Sequence, residues 1–92
     1  MIDKKLQHSI KQLNDKKYTT ETCCSGHYIS QYKTFALYIS FKNYIHLNSF
    51  PKGWKNRKDN YIYATFNAKN ETEFNKKQTE KINNLNTWIK GL

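Results

Sequence analysis

Cys23-Cys24-Ser25-Gly26-His27-Tyr28 gathers two thiols, a hydroxyl, a glycine and an imidazole into one short stretch. Three chemistries need groups of this kind. Cys24 could serve as a nucleophile if a nearby imidazolium, His27, stabilised its thiolate. No orienting acid follows at a motif spacing. Cys24 and His27 also have workable spacing for a metal, but a structural zinc site needs a full tetrahedral ligand set. Cys23, His8 and His46 form no second close pair, so no metal ligand and no catalytic residue are assigned. Binding asks for less. Consecutive backbone N–H groups at Ser25, Gly26 and His27 could cradle an anion, with the hydroxyl and ring as further donors. The plain alternative is a turn: two small buried thiols close a strand and Gly26 supplies a positive φ.

A second cluster lies further along. Lys52, Lys55, Arg57 and Lys58 sit among Phe50, Trp54, Tyr61 and Tyr63. Cations interleaved with aromatic platforms suit ligands that combine phosphate with a base. The alternative is a solvated loop flanked by core aromatics. The candidate ligand-binding set is therefore Cys24, Ser25, Gly26, His27, Tyr28, Lys52, Trp54, Lys55, Arg57 and Tyr63. Lys76, Lys77 and Lys81 read as a solvated helix face.

Elements must position these residues. Ile2, Leu6, Ile10 and Leu13 recur at the spacing of a surface helix, ended by Asn14-Asp15. The β-branched run Tyr18 to Cys23 reads as a strand. Phe35, Leu37, Ile39 and Phe41 alternate with Ala36, Tyr38, Ser40 and Lys42, the period of a half-buried strand. Tyr44 to Leu47 either continues it or forms a short strand of its own. Phe50 to Trp54 is a turn built on Pro51 and Gly53, and Lys55 to Asn60 is a polar loop. Tyr61 to Phe66 alternates again, with its core side either Ile62, Ala64 and Phe66 or Tyr61 and Tyr63. Asn70 caps a final helix, with Glu73 placed as in a capping box. Ile82, Leu85, Trp88, Ile89 and Leu92 give that helix an apolar face. Its middle, Asn75 to Lys81, lacks one and is expected to face solvent or a partner. The expected fold is α+β: one domain over residues 1–92, with a small antiparallel sheet of three to four strands and an N-terminal and a C-terminal helix packed on it.

Composition sets outer limits. The chain has 92 residues, 37% hydrophobic and 15% aromatic, so its core is thin and rich in rings. A thin core invites burial between subunits, and a homo-oligomer is expected. The net charge of +9 favours anionic partners. Arg57 is the sole arginine, which argues against a dedicated reader of DNA sequence. Adjacent cysteines make no disulfide framework, and the start lacks the apolar stretch of a secretory signal. No segment is apolar enough to span a bilayer. A cytosolic protein with reduced thiols and no membrane partner is expected.

Two resemblances add to this. Thr20 to His27 resembles the T-x-S-C-S-G-R signature of the wybutosine-synthesising tRNA methyltransferase family. Cys24, Ser25 and Gly26 match it, while Cys23 stands for a serine and His27 for the arginine. That resemblance implies a strand-loop scaffold approaching a nucleotide-like ligand. Residues 10–66 also look like short proteins of low-GC bacteria and their phages. These share a helix, the C-C-S-G-H loop (Cys23 to His27), the strand Tyr38-Ile39-Ser40-Phe41 and the turn Pro51-Lys52-Gly53. This second likeness implies a host-cell cytosolic setting and a phage context. The resulting expectation is a cofactor-free, non-catalytic binder of a small phosphate-bearing nucleotide, acting as an anti-defence sponge for a host immune signal. The alternatives are an RNA or single-stranded nucleic-acid-binding module, a protein–protein inhibitor of a host defence complex, and an enzyme using Cys24 and His27.

Overall fold

The structure is a computed structural model that describes residues 4–42, 47–57 and 60–92. Ile2, the Tyr44–His46 part of the possible extra strand, Lys58 and Asp59 lie outside the described residues. A 3₁₀ turn over Lys4–Leu6 leads into helix α1, Gln7–Asp15. Strands β1 (Thr20–Cys24), β2 (Thr34–Phe41), β3 (Lys55–Arg57) and β4 (Tyr61–Asn67) follow, then helix α2, Glu71–Lys90. All pairings are antiparallel, in the order β1-β2-β4-β3. This is the expected α+β fold with a four-stranded sheet.

Lys55 to Asn60 departs from its expected loop state. Its first three residues form β3, which pairs Lys55 with Tyr63, Asn56 with Ile62 and Arg57 with Tyr61. A polar triplet has no strand signature of its own. The exposed edge of β4 recruits it, and charged residues are common on such short edge strands.

Both helices pack on one face of the sheet. Leu6, Ile10 and Leu13 meet Phe74, Leu85 and Ile89 over Phe35, Leu37, Ile39, Phe41, Ile62, Ala64 and Phe66, all buried. The core side of β4 is thus Ile62, Ala64 and Phe66, and Tyr61 and Tyr63 point to the other face. Each fully buried aliphatic or aromatic side chain contributes about 1.5–3 kcal/mol. Phe35, Phe66, Phe74 and Tyr28 form a ring cluster with centroids 4.8–5.9 Å apart.

The helix ends are specified locally. Helix α1 stops at Lys17, which adopts φ 75°. The Tyr18 N–H donates to Leu13 O and the Lys17 N–H to Asn14 O, the bonding of a Schellman end. Asn14 Oδ1 then accepts the Thr20 N–H at 2.9 Å and starts β1. Asn70 caps α2 as expected, accepting the Glu73 N–H at 2.8 Å. The Glu73 carboxylate reaches back to the Lys69 N–H. Its hydrogen bond to Lys77, supported by that ammonium's charge and by Lys69, holds its pKa below the usual carboxylate value.

The middle of α2 does not face solvent throughout, contrary to expectation. Gln78 is only 1% exposed. Its Nε2 donates to Ser25 O at 2.7 Å, and its Oε1 accepts from Lys5 Nζ at 2.6 Å. One buried amide therefore ties the N-terminal turn, the loop after β1 and α2 together. Such a group is tolerated inside because its donors and acceptors are matched.

Candidate functional site

Helices on one face leave the other face of the sheet without a covering element among the described residues. Alternation places Ala36, Tyr38 and Ser40 of β2 there, with Tyr61, Tyr63 and Thr65 of β4. Lys55 and Arg57 of β3 lie directly across from Tyr63 and Tyr61. These residues are exposed or half-exposed. The Tyr38 and Tyr61 rings stack at 5.5 Å with planes 28° apart, and Tyr63 lies 5.8 Å from Tyr61. The open face is thus a continuous strip of three phenol rings with cations along its β3 side.

The hexapeptide sits at the opposite edge. A register shift between Thr20 and Thr22 makes Glu21 the extra residue of a bulge. Beyond it Cys23 pairs with Ile39 on the core side and Cys24 with Tyr38 on the open side. Both thiols are free and half-buried, less enclosed than expected. Gly26 takes φ +81°, and a Cβ there would lie 2.8 Å from Ala36 O. The loop can hug β2 only because that position is glycine. The close approach shapes an open cleft of about 910 Å³ around the end of β1. Cys24, His27, Tyr38, Lys4, Lys5 and Glu71 are among its lining residues.

The anion cradle expected from this loop is not assembled. Ser25 is 1% exposed, its carbonyl bound to Gln78. The Gly26 N–H donates to Cys24 Sγ at 3.3 Å and so does not face a ligand. His27 is exposed at the cleft, while the Tyr28 ring packs on Phe35 and Phe74. The structure adds an acid that spacing could not reveal: Glu71, from the first turn of α2, shares the cleft with Cys24 and His27. Among the described residues no hydrogen bond links these three, so a nucleophile–base pair is not set up. No group of three or more metal-ligating side chains occurs among the described residues.

The second expected cluster splits. Trp54 is 5% exposed and belongs to the core, its Nε1 donating to Lys81 O at 3.0 Å. It cannot stack a base, because helix α2 already occupies its surroundings. Lys52 lies in the exposed turn closed by the Trp54 N–H to Pro51 O bond. Lys55, Arg57 and Tyr63 do come together, on the open face. Lys55 and Arg57 stand on the edge strand opposite Cys24, about 14 Å away across the sheet at the usual strand spacing, and Tyr63, on the central strand β4, is about 10 Å from it. One compact site holding all ten expected residues is therefore not formed. Two residues outside the candidate set complete the strip: Tyr38, which sequence reasoning placed only on a strand, and Tyr61, named among the cluster's aromatics. Their signal was the period-two pattern itself, which puts every second residue of β2 and β4 on the uncovered face.

No family model matches the chain, and no curated protein or solved structure is significantly similar to it. Among the described residues, no helix is long and apolar enough to cross a membrane.

Proposed function

We propose that the open face binds single-stranded nucleic acid, with Tyr38, Tyr61 and Tyr63 stacking successive bases and Lys55 and Arg57 meeting the phosphates. The observation that carries this reading is the coincidence of three adjacent rings and two cations on one sheet face, which no described element covers and where no described carboxylate pairs with the cations. Each base has a π-face, so a row of rings tolerates any sequence. Phosphates supply the salt-dependent attraction, and a chain of net charge +9 supplies the field. The analogy is with other sheet surfaces that stack RNA bases, and it is an analogy of chemistry rather than of fold. Fluorescence anisotropy with a labelled uridine octanucleotide tests it. Tyr61→Ala and Tyr63→Ala should each weaken binding by about tenfold or more, the value of one stacked base. Tyr32→Ala, which removes a ring 57% exposed in the β1–β2 loop, should leave binding unchanged. Equal affinity for all three variants, or no binding by the parent protein, refutes the platform.

A second reading attaches to the cleft. Its volume of about 910 Å³ lies within the ~300–1,000 Å³ range of small-ligand sites, and Lys4, Lys5 and His27 line it. There a small phosphate-bearing nucleotide would be held without turnover, as a sponge of an anti-defence kind would hold it. Native mass spectrometry of protein from a signal-producing host separates the two. A stoichiometric nucleotide mass favours the cleft, and bare protein favours the platform.

A further inference from the structure

The sole arginine stands where a base could be read rather than merely stacked. Arg57 lies across from Tyr61 in the β3–β4 register, and Tyr61 is stacked on Tyr38. Arg57 and Tyr61 border a concavity of about 280 Å³, whose other lining residues are Ser40 and Asn60. That is just below the ~300–1,000 Å³ of whole-ligand sites, so it suits one base better than one nucleotide signal. The Asn60 backbone is fixed there, because its carbonyl accepts the Phe41 N–H at 2.7 Å. Among the described residues no carboxylate pairs with Arg57. Nor does any hydrogen bond engage its fork of N–H donors among the described residues.

Donor geometry then selects the base. Guanine offers two acceptors, O6 and N7, at the separation of a guanidinium fork. Adenine presents an amino donor where O6 would be, and a donor-only guanidinium cannot accept from it. Pyrimidines lack N7 altogether. Lysine is a point charge without the fork, so it keeps the attraction to phosphate and loses the reading.

Resting on the platform reading above, we propose that this concavity is a guanine-selective subsite: Arg57 forks onto O6 and N7 of a base stacked on Tyr61. The test uses the full chain and four labelled RNA octanucleotides, all-uridine and the same with one central guanine, adenine or cytosine. The guanine-containing strand should bind about tenfold or more tighter than the other three. R57K should abolish the guanine preference, so that within this variant the guanine-containing strand binds no tighter than the other three. Circular dichroism confirms that the variant folds. Equal affinity for all four strands, or a guanine preference that survives R57K, overturns the subsite while leaving the platform standing. No binding to any strand overturns both.

Discussion

Gly26 and Gly53 share a left-handed backbone, φ +81° and +83°, and differ in what a side chain would meet. A non-glycine residue in that region costs about 1–2 kcal/mol at either position. At Gly26 the added carbon would also sit 2.8 Å from the Ala36 carbonyl, which is backbone of a central strand and cannot retreat. At Gly53 the obstacle is Lys81 Nζ at 2.7 Å, the far end of a flexible side chain. Gly26→Ala should therefore lower Tm clearly more than Gly53→Ala. The latter should fall by roughly 4–16 °C, since 1 kcal/mol moves a domain of this size by about 4–8 °C. Thermal melts followed by circular dichroism compare them, and equal losses would mean that the loop after β1 does not press on β2. The comparison bears on the cleft, because that contact sets its shape. Cys24 and His27 are individually legible in the sequence as reactive types. Their lack of a mutual hydrogen bond was not legible, because it depends on how the bulge at Glu21 and the turn at Gly26 rotate them.

At the scale of elements, α1 ends on a residue ill suited to its conformation. The Schellman position most often holds glycine, and Lys17 occupies it at φ 75°. Lys17→Gly should relieve about 1–2 kcal/mol of backbone strain and give back about 0.5–1 kcal/mol in unfolded-chain entropy. A net gain of several tenths to 1 kcal/mol is expected, read as a rise in the denaturant midpoint without a change in slope. A lower midpoint would show that the lysine side chain stabilises the turn by contacts of its own. Neither this strain nor β3 was visible beforehand, for the same reason. Lys17 and Lys55-Asn56-Arg57 carry no local signal, and their conformations come from partners: the carbonyls of α1 and the edge of β4. The alternation in Phe35 to Phe41 and the cap at Asn70 were legible, since each is decided by residues within a turn or two. Gln78 shows the limit most sharply. A glutamine in a polar stretch reads as solvated, and its partners Lys5, Ser25 and Gly26, all distant in sequence, explain its burial.

For the whole molecule, the sheet order decides how the charge can work. A net charge of +9 spread evenly would attract any polyanion weakly and from all sides. The fold instead puts Lys55 and Arg57 at one edge of the ring strip and Lys4 and Lys5 beside the cleft at the other. A bound strand lying along Tyr38, Tyr61 and Tyr63 contacts the first pair alone. Each phosphate contact on a single strand contributes about 0.7 to the slope of log K against log salt. Lys55→Gln and Arg57→Gln should therefore each lower that slope by about 0.7, whereas Lys4→Gln should leave it unaltered. The measurement is a salt titration of octanucleotide affinity for the parent and the three variants. Lys4, at the cleft beside β1, and Lys55, on β3, lie at opposite edges of the sheet, so their effects should add and Lys55→Gln combined with Lys4→Gln should match Lys55→Gln alone. Equal reductions from all three substitutions would mean that the nucleic acid sees only total charge. The rings of the open face would then be a solvated surface with no strand laid across it.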